Sequence, residues 1–287
     1  MESHPDHRHQ HQHHPEGEAD EEALTELLDL DAEVLHEYQS EVIAWVRELA
    51  GDLPGRRILD LGSGTGTGAL ALVRGFEEAD VLAVDVSATR LDRLRARARE
   101  LGVDCRIHTL QADLDAGWPA TGPVDLVWAS NSLHHMADPD RVLAGVFTAL
   151  QPGGVLAVAE MGSFPRFLPP DIGSGLEERC HAALAEGLAH QLPQLASDWG
   201  PRLRTAGFLS EAERTFAIHL VPPLPAAARR YAQLSLRRIR SALDGQISAA
   251  DLAALDMLLD DDGPGSVLRR GDLAVRTART VWVARRP

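Results

Sequence analysis

The residues of this chain best placed to do chemistry lie in one glycine run and at the ends of the segments that follow it. The run is Ile58-Leu-Asp-Leu-Gly-Ser-Gly-Thr-Gly-Thr-Gly68. Its glycines let the chain visit positive φ and let a ligand approach bare backbone. Gly64-Thr-Gly66-Thr-Gly68-Ala69 also satisfies the dinucleotide fingerprint, so the glycines alone fit a nicotinamide or flavin. Asp60 separates the two readings. A carboxylate two positions before Gly62 would oppose a pyrophosphate but suits a ligand carrying an ammonium group and a sulfonium. Asp85 follows at about the right distance for a carboxylate that accepts both hydroxyls of a ribose. Further on, His134, His135 and Glu160 are candidate general bases.

The elements that must position these residues can be read from periodicity. Three β-formers precede Gly62, and the helix-forming run Ala69–Val73 follows the turn, giving strand, glycine turn and helix. Residues 80–85 read as a second strand. Ser87 caps a helix whose inner stripe is Leu91, Leu94, Ala98 and Leu101. Residues 104–110 form a third strand leading to Ala112, Asp113 and Leu114. The fourth, 124–128, opens into Ser130-Asn-Ser-Leu-His-His135. Residues 155–161 make strand five after the stop Gln151-Pro-Gly-Gly154. Strands alternating with helices predict a doubly wound, mostly parallel α/β sheet with its ligand at the carboxyl ends of the strands.

Before the first strand, Val34, Leu35, Tyr38, Val42, Trp45, Val46 and Leu49 predict a helix over 21–50, stopped by Gly51. Beyond strand five the pattern gives helices over 176–192 and 195–206, then strand six at 211–221. Two more helices follow, one running from Pro225 to about Leu243 and one capped by Ser248. The last strand falls at 273–284. The expected organisation is a disordered, His-rich acidic tail (1–19) and a single domain (20–287). That domain has a core at 52–161 and helical insertions at about 162–207 and 222–265.

Composition removes several function classes. The 287 residues are 44% hydrophobic and 25% charged, which reads as globular and large enough for a substantial core. No apolar run approaches ~18 residues and the first residues are polar, so neither a membrane span nor a signal segment is expected. All 28 basic residues are arginine. Without lysine there is no Schiff-base chemistry and no Walker A lysine. The net charge is −15, of which eleven acids and one arginine in residues 1–35 supply −10, leaving no basic field for nucleic acid. Six of the 13 histidines fall in residues 1–19, a flexible tract with adventitious metal affinity; no metal site is assigned. Cys105 and Cys180 make no motif and are expected as buried small hydrophobes in a reducing, cytoplasmic compartment.

Taken together, Asp60-x-Gly62-x-Gly64-x-Gly66, Val124-Asp125 with Asn131-Ser-Leu-His-His135, and Leu150-Gln-Pro-Gly-Gly-Val155 resemble the class I S-adenosylmethionine (SAM)-dependent methyltransferases, in particular the ubiquinone/menaquinone-type small-molecule enzymes. The resemblance covers roughly residues 36–160. It implies a Rossmann-like sheet of seven strands, with a helical cap built from the N-terminal helix and the C-terminal insertions. It also implies SAM as cofactor and S-adenosylhomocysteine as product. The cofactor would be bound by Tyr38, Asp60, Gly62, Ser63, Gly64, Gly66, Asp85, Val86, Ala112, Asp113, Leu114, Ser130 and Asn131. In such enzymes the acid at Asp113, preceded by a small residue such as Ala112, meets the adenine amino group, and the 130–135 segment lines the methyl-bearing sulfur. Tyr38 either reaches the ligand or sits on the packed face of its helix.

Methyl transfer from a sulfonium needs mainly alignment of the nucleophile and exclusion of water, with a base where the acceptor is a hydroxyl or a protonated nitrogen. Strand four lacks the Asn/Asp-Pro-Pro-aromatic motif of enzymes that methylate exocyclic amines. A small-molecule acceptor methylated at O or C is therefore expected; a protein acceptor, or a catalytically silent SAM-binding regulatory module, is the alternative. The acceptor pocket is expected between the sheet's carboxyl edge and the helices of 21–50, 171–192 and 224–260. An Ala/Leu/Pro wall with Phe167, Trp199 and Tyr231 suits an apolar or aromatic acceptor. Otherwise these helices cover the sheet or make a homodimer contact.

Overall fold

The computed structural model describes residues 15–51 and 57–287, with side chains from residue 21 onward. The chain enters through α1 (Pro15–Val34) and α2 (His36–Ala50). The first half then alternates β1 (Arg57–Leu61), α3 (Thr67–Gly75), β2 (Asp80–Asp85), α4 (Ala88–Glu100), β3 (Ile107–Gln111), β4 (Val124–Ser130), α5 (Pro139–Ala149) and β5 (Leu150–Met161). The second half carries α6 (Leu176–Leu188), α7 (Trp199–Thr205), β6 (Leu209–Leu220), α8 (Ala226–Ala242), α9 (Ala249–Leu259) and β7 (Val275–Arg285).

Among the described residues seven strands form one sheet in the order β3-β2-β1-β4-β5-β7-β6. The pairs among β1 to β5 are parallel, and β7 runs antiparallel to both its neighbours. The order reverses between β1 and β4, where the crossovers leave to opposite sides and open a crevice at the carboxyl edge. Strict alternation builds two cores. Ile58, Leu126, Trp128, Ala157 and Val281 face α2, α3 and α4, while Leu59, Val127, Val158 and Trp282 face α5 and α7. A third cluster, above the carboxyl edge, joins the end of α1 to α6, α8, α9 and the start of β7. This is the helical cap.

Local chemistry explains the boundaries. Side-chain oxygens of Ser87, Asp138, Asp198 and Ser248 accept backbone N–H bonds at the starts of α4, α5, α7 and α9. The helix expected over 21–50 is two helices, because Leu35 leaves helical geometry at φ −102° and ψ 21°. Val34 and Leu35 bury in the cap, whereas Val42, Ile43 and Val46 bury against the sheet. One straight helix cannot present its apolar stripe to both. Helix α1 begins at Pro15, inside the segment assigned to the tail, and residues 1–14 lie outside the described residues. Residues 104–106 form a 3₁₀ turn before β3 rather than part of it. Cys180 is buried as expected, but Cys105 is exposed, because that turn lies at the surface; both are free thiols.

Candidate functional site

The glycine loop leaves the end of β1 with positive φ at Gly62, Gly64 and Gly66. At Gly62, φ is +64° and a Cβ would lie 2.6 Å from Ser132 Cβ, so the two strand ends can meet only if position 62 lacks a side chain. Ser63 N donates to Val84 O at 3.0 Å and Gly64 N to Asp85 Oδ2 at 2.8 Å. Asp85 Oδ1 accepts from Ser87 N at 2.9 Å, and Arg90 Nη1 stands 3.7 Å from the same oxygen. The buried Asp85 carboxylate thus fixes the loop to the end of β2. Each of its oxygens keeps acceptor capacity for a further donor.

Asp60, at the end of β1 just before the loop, faces inward. Its buried carboxylate lies beneath the loop, against the first turn of α3, where Ala69 N–H bonds to it. A Cβ on Gly68 would come within 2.8 Å of Asp60 Oδ2 and of Trp128 Nε1, two buried atoms without a hydrogen-bond partner. Burial pushes the Asp60 pKa up to about 7, against the Ala69 hydrogen bond and with help from the Asp85 charge. A helix N-terminus favours a carboxylate there, and desolvation opposes it.

Across the crevice, β4 ends at Ser130, and Asn131 turns the chain at φ +48°, a left-handed conformation uncommon outside glycine. Asn131 Oδ1, Ser132 Oγ, Ser63 Oγ and Arg90 Nε are buried without partners, as is Thr25 Oγ1 of α1. Buried polar groups are normally paired, and each unpaired one costs about 1–3 kcal/mol. Five of them gathered at the carboxyl ends of β1, β2 and β4 and on the helix above mark a place built for a polar ligand. Val86 is 60% exposed on the shelf beyond Asp85. Ala112 N is tied to Asp85 O at 3.1 Å, Asp113 Oδ1 accepts from Asp115 N at 2.9 Å, and Leu114 is buried beneath them.

The three base candidates divide. Glu160 Oε1 accepts from Ser132 N at 3.1 Å and Leu133 N at 2.9 Å, and Oε2 meets His134 Nδ1 at 2.5 Å. Glu160 and His134 are both buried and committed to holding the β4 loop. The ring of His135 packs 4.1 Å from that of His134 and makes no hydrogen bond among the described residues. His135 is exposed, yet burial of the inner side of its ring pushes its pKa down to about 4, with His134 and Arg90 adding to the effect.

Helix α1 closes the crevice from above. Ser87 Oγ donates to Glu21 Oε1 at 2.6 Å, and Leu28 Cδ1 is 3.6 Å from where a Gly64 Cβ would stand. Asp29 takes Arg93 and Arg97 of α4 at 3.0 Å each, Glu26 takes Arg230 of α8 at 2.7 Å, and Tyr231 OH donates to Asp31 at 2.5 Å. Tyr38 stacks edge-on with Phe216 at 5.7 Å. Burial raises its hydroxyl pKa, Arg279 opposing and the carboxylates of Asp31 and Glu160 reinforcing the shift. Phe167 and Tyr231 meet edge to face in the cap at 5.3 Å, but Trp199 does not join them. It is buried on the opposite face of the sheet with Leu203 and Trp282.

Thr25, Arg90, Asp31 and Arg279 escaped the sequence reading. Arg90 reads as one of five solvated arginines on α4, and Thr25 and Asp31 belong to a strongly acidic segment; only their partners distinguish them. A large cavity of about 1940 Å³ opens between α2, α3, α4 and β6 and reaches Tyr38 but none of Gly62, Asp85 or Asn131. Its size does not make it the site, because the unpaired polar atoms lie elsewhere. Among the described residues no helix is long and apolar enough to cross a membrane, and no group of three His, Cys, Asp or Glu is arranged to hold a metal.

A doubly wound sheet with a glycine loop, a strand-end acid and unpaired polar atoms at its switch point defines a nucleoside-type ligand site. A family model described as a methyltransferase domain matches residues 58–154. The chain is 30% identical over 224 residues to 27-O-demethylrifamycin SV methyltransferase of Amycolatopsis mediterranei, covering 73% of this chain and 79% of that one. With a ubiquinone/menaquinone biosynthesis C-methyltransferase of Vibrio vulnificus it shares 33% identity over 124 residues, 42% of this chain and 47%, about half, of that relative's length. A putative methyltransferase from Bacillus halodurans has the same fold, with a TM-score of 0.54 and 17% identity over 85% of this chain and 98% of that one. The chain belongs to the class I SAM-dependent methyltransferases.

Proposed function

We propose that this chain transfers a methyl group from SAM to a small-molecule acceptor with an apolar or aromatic frame, at oxygen or carbon, and releases S-adenosylhomocysteine. The observation that carries the proposal is the set of buried, unpaired polar atoms around the glycine loop: Ser63 Oγ, Asn131 Oδ1, Ser132 Oγ, Arg90 Nε and Thr25 Oγ1. They fit a ligand with hydroxyl, amine and carboxylate groups. In this reading Asp85 takes the ribose hydroxyls, and Val86, Ala112, Asp113 and Leu114 form the adenine shelf. Gly62, Ser63, Gly64, Gly66, Ser130 and Asn131 cradle the remainder. Asp60 acts from below by holding α3 under the loop, and Tyr38 faces the acceptor side.

SAM, when bound, supplies a methyl carbon already activated by the sulfonium. The chain's own task is to hold an acceptor in line with it, exclude water and take up any proton released. His135 is the candidate for the last role because its ring makes no hydrogen bond among the described residues; burial pushes its pKa down to about 4, which makes it a weak base. His134 is oriented by Glu160 and serves as its support. The names of relatives favour small acceptors at both atoms, one pointing to an oxygen of a rifamycin and one to a quinone-pathway carbon. We assign one methyltransferase domain to residues 20–287 and, from the free thiols, a reducing cytoplasm.

Calorimetric titration with SAM, S-adenosylhomocysteine, NAD and FAD tests the reading. The first two should bind and the last two should not. Tight NAD binding without SAM binding overturns it.

A further inference from the structure

Arg279 is the one arginine buried among the described residues, at 1% exposure. It stands on β7 opposite Met161 at the carboxyl edge, one residue from the partner of Glu160. A guanidinium removed from water needs a well-made anionic partner, with hydrogen bonds at about 2.7–2.9 Å and usually two of them. Arg279 lacks one. Its Nη1 donates to Thr277 Oγ1 at 2.9 Å and to Ala278 O at 3.5 Å, and among the described residues its only carboxylate contact is a single Nη2–Asp31 Oδ1 approach at 3.4 Å. That oxygen already accepts from Tyr231 at 2.5 Å, and the Asp31 side chain is 31% exposed, on a helix separate from the sheet. Burial works against the charge on Arg279, but Asp31, Tyr231, Tyr38 and Glu160 together keep it cationic.

The surroundings are apolar. Phe216 pairs with Arg279 in the β6–β7 register and stacks on Tyr38, and Phe167 stacks on Tyr231. The large cavity is lined by Tyr38, Phe216, Val34, Leu35 and Leu224, of which Phe216 is the register partner of Arg279; the arginine itself does not line it. A structural ion pair in such a place would be bidentate and sealed; this one is stretched, shared and partly open to solvent.

We propose that Arg279 recognises the acceptor, that the acceptor carries an anionic oxygen (carboxylate, phenolate or enolate) on an apolar frame, and that Asp31 of α1 holds that anion's place in the free protein. The inference rests on the methyltransferase reading and narrows its substrate class. An anion arriving at Arg279 displaces Asp31. Tyr231, released from Asp31, then becomes a second donor to the incoming oxygen.

The test uses the full chain saturated with S-adenosylhomocysteine, whose binding is first verified by calorimetry. The probes are 2-naphthoate and its neutral counterpart 2-naphthamide, followed by ligand-observed NMR. Naphthoate should bind about tenfold or more tighter than naphthamide, as expected for a charge-assisted pair. Asp31→Asn should tighten naphthoate further and leave naphthamide unchanged. Arg279→Met should erase the preference, and if that variant does not fold the Asp31→Asn arm decides. Equal binding of the two probes, binding of neither, or an unchanged ratio in Asp31→Asn overturns the inference. Failure of S-adenosylhomocysteine to bind instead overturns the methyltransferase reading.

Discussion

Around the glycine loop, backbone makes the site. Positive-φ glycines, strand-end amides and two carboxylates that bind amides set its shape, with buried, unpaired side-chain atoms beside them. Under the cap, side chains make it. Asp31, Tyr38, Tyr231, Thr277 and Arg279 come from α1, α2, α8 and β7 and lean on one another across up to 248 positions of sequence. The first region offers a rigid mould for a ligand of fixed chemistry. The second is an arrangement of charges that can be exchanged, which suits a substrate that differs between relatives.

Three perturbations probe this contrast. The largest effect is expected from Glu160→Ala, which strips His134 and two backbone amides of a buried partner. Unfolding free energy should drop by roughly 3–5 kcal/mol, the scale for removing one member of a buried pair. Urea denaturation reads it, and an unchanged midpoint would mean the β4 loop is held by something other than Glu160.

Next is a pH dependence. The folded-state pKa of Asp60 is raised to about 7, so its contribution is intact below the unfolded-state value and lost as pH climbs from about 4 through 7. The loss should be on the order of 4 kcal/mol at ~1.4 kcal/mol per pKa unit. Asp60→Asn should flatten that slope in thermal scans across the window; a variant with the wild-type slope would place the titrating group elsewhere.

The smallest change should come from Asp85→Ala. SAM affinity should weaken by roughly 1–3 kcal/mol while the fold persists, because the residue lies at a strand end. Calorimetry giving wild-type affinity would remove Asp85 from the site.

The contrast also explains what could be read from the chain. The core sheet, the glycine turn and the caps at Ser87 and Ser248 are local, and each rests on residues a few positions apart. The same locality puts Asp85 and Ser130 at the ends of β2 and β4. Strand alternation turns Asp60 under the loop beside Trp128, its register partner on β4, a placement its motif position does not reveal. Trp199 was expected in the acceptor wall and packs on the far face, because α7 covers β6 and β7 from that side. Arg279 is one of many arginines in the sequence. Nothing in its neighbours tells that it alone is buried; only the pairing of β7 with β5 and β6 brings it to the edge. The break at Leu35 likewise depends on two cores that are not adjacent in sequence.

Because β7 runs against every other strand, the chain reaches the ligand edge as it enters β7 and leaves that edge behind as it ends. Arg286 exchanges backbone hydrogen bonds of 2.9 Å with Gly153 and Gly154, at the start of β5. A fluorophore joined after Pro287 therefore sits on the side of the sheet away from the glycine loop, whereas one on the solvent side of α1 rides on a helix that touches both that loop and Arg279.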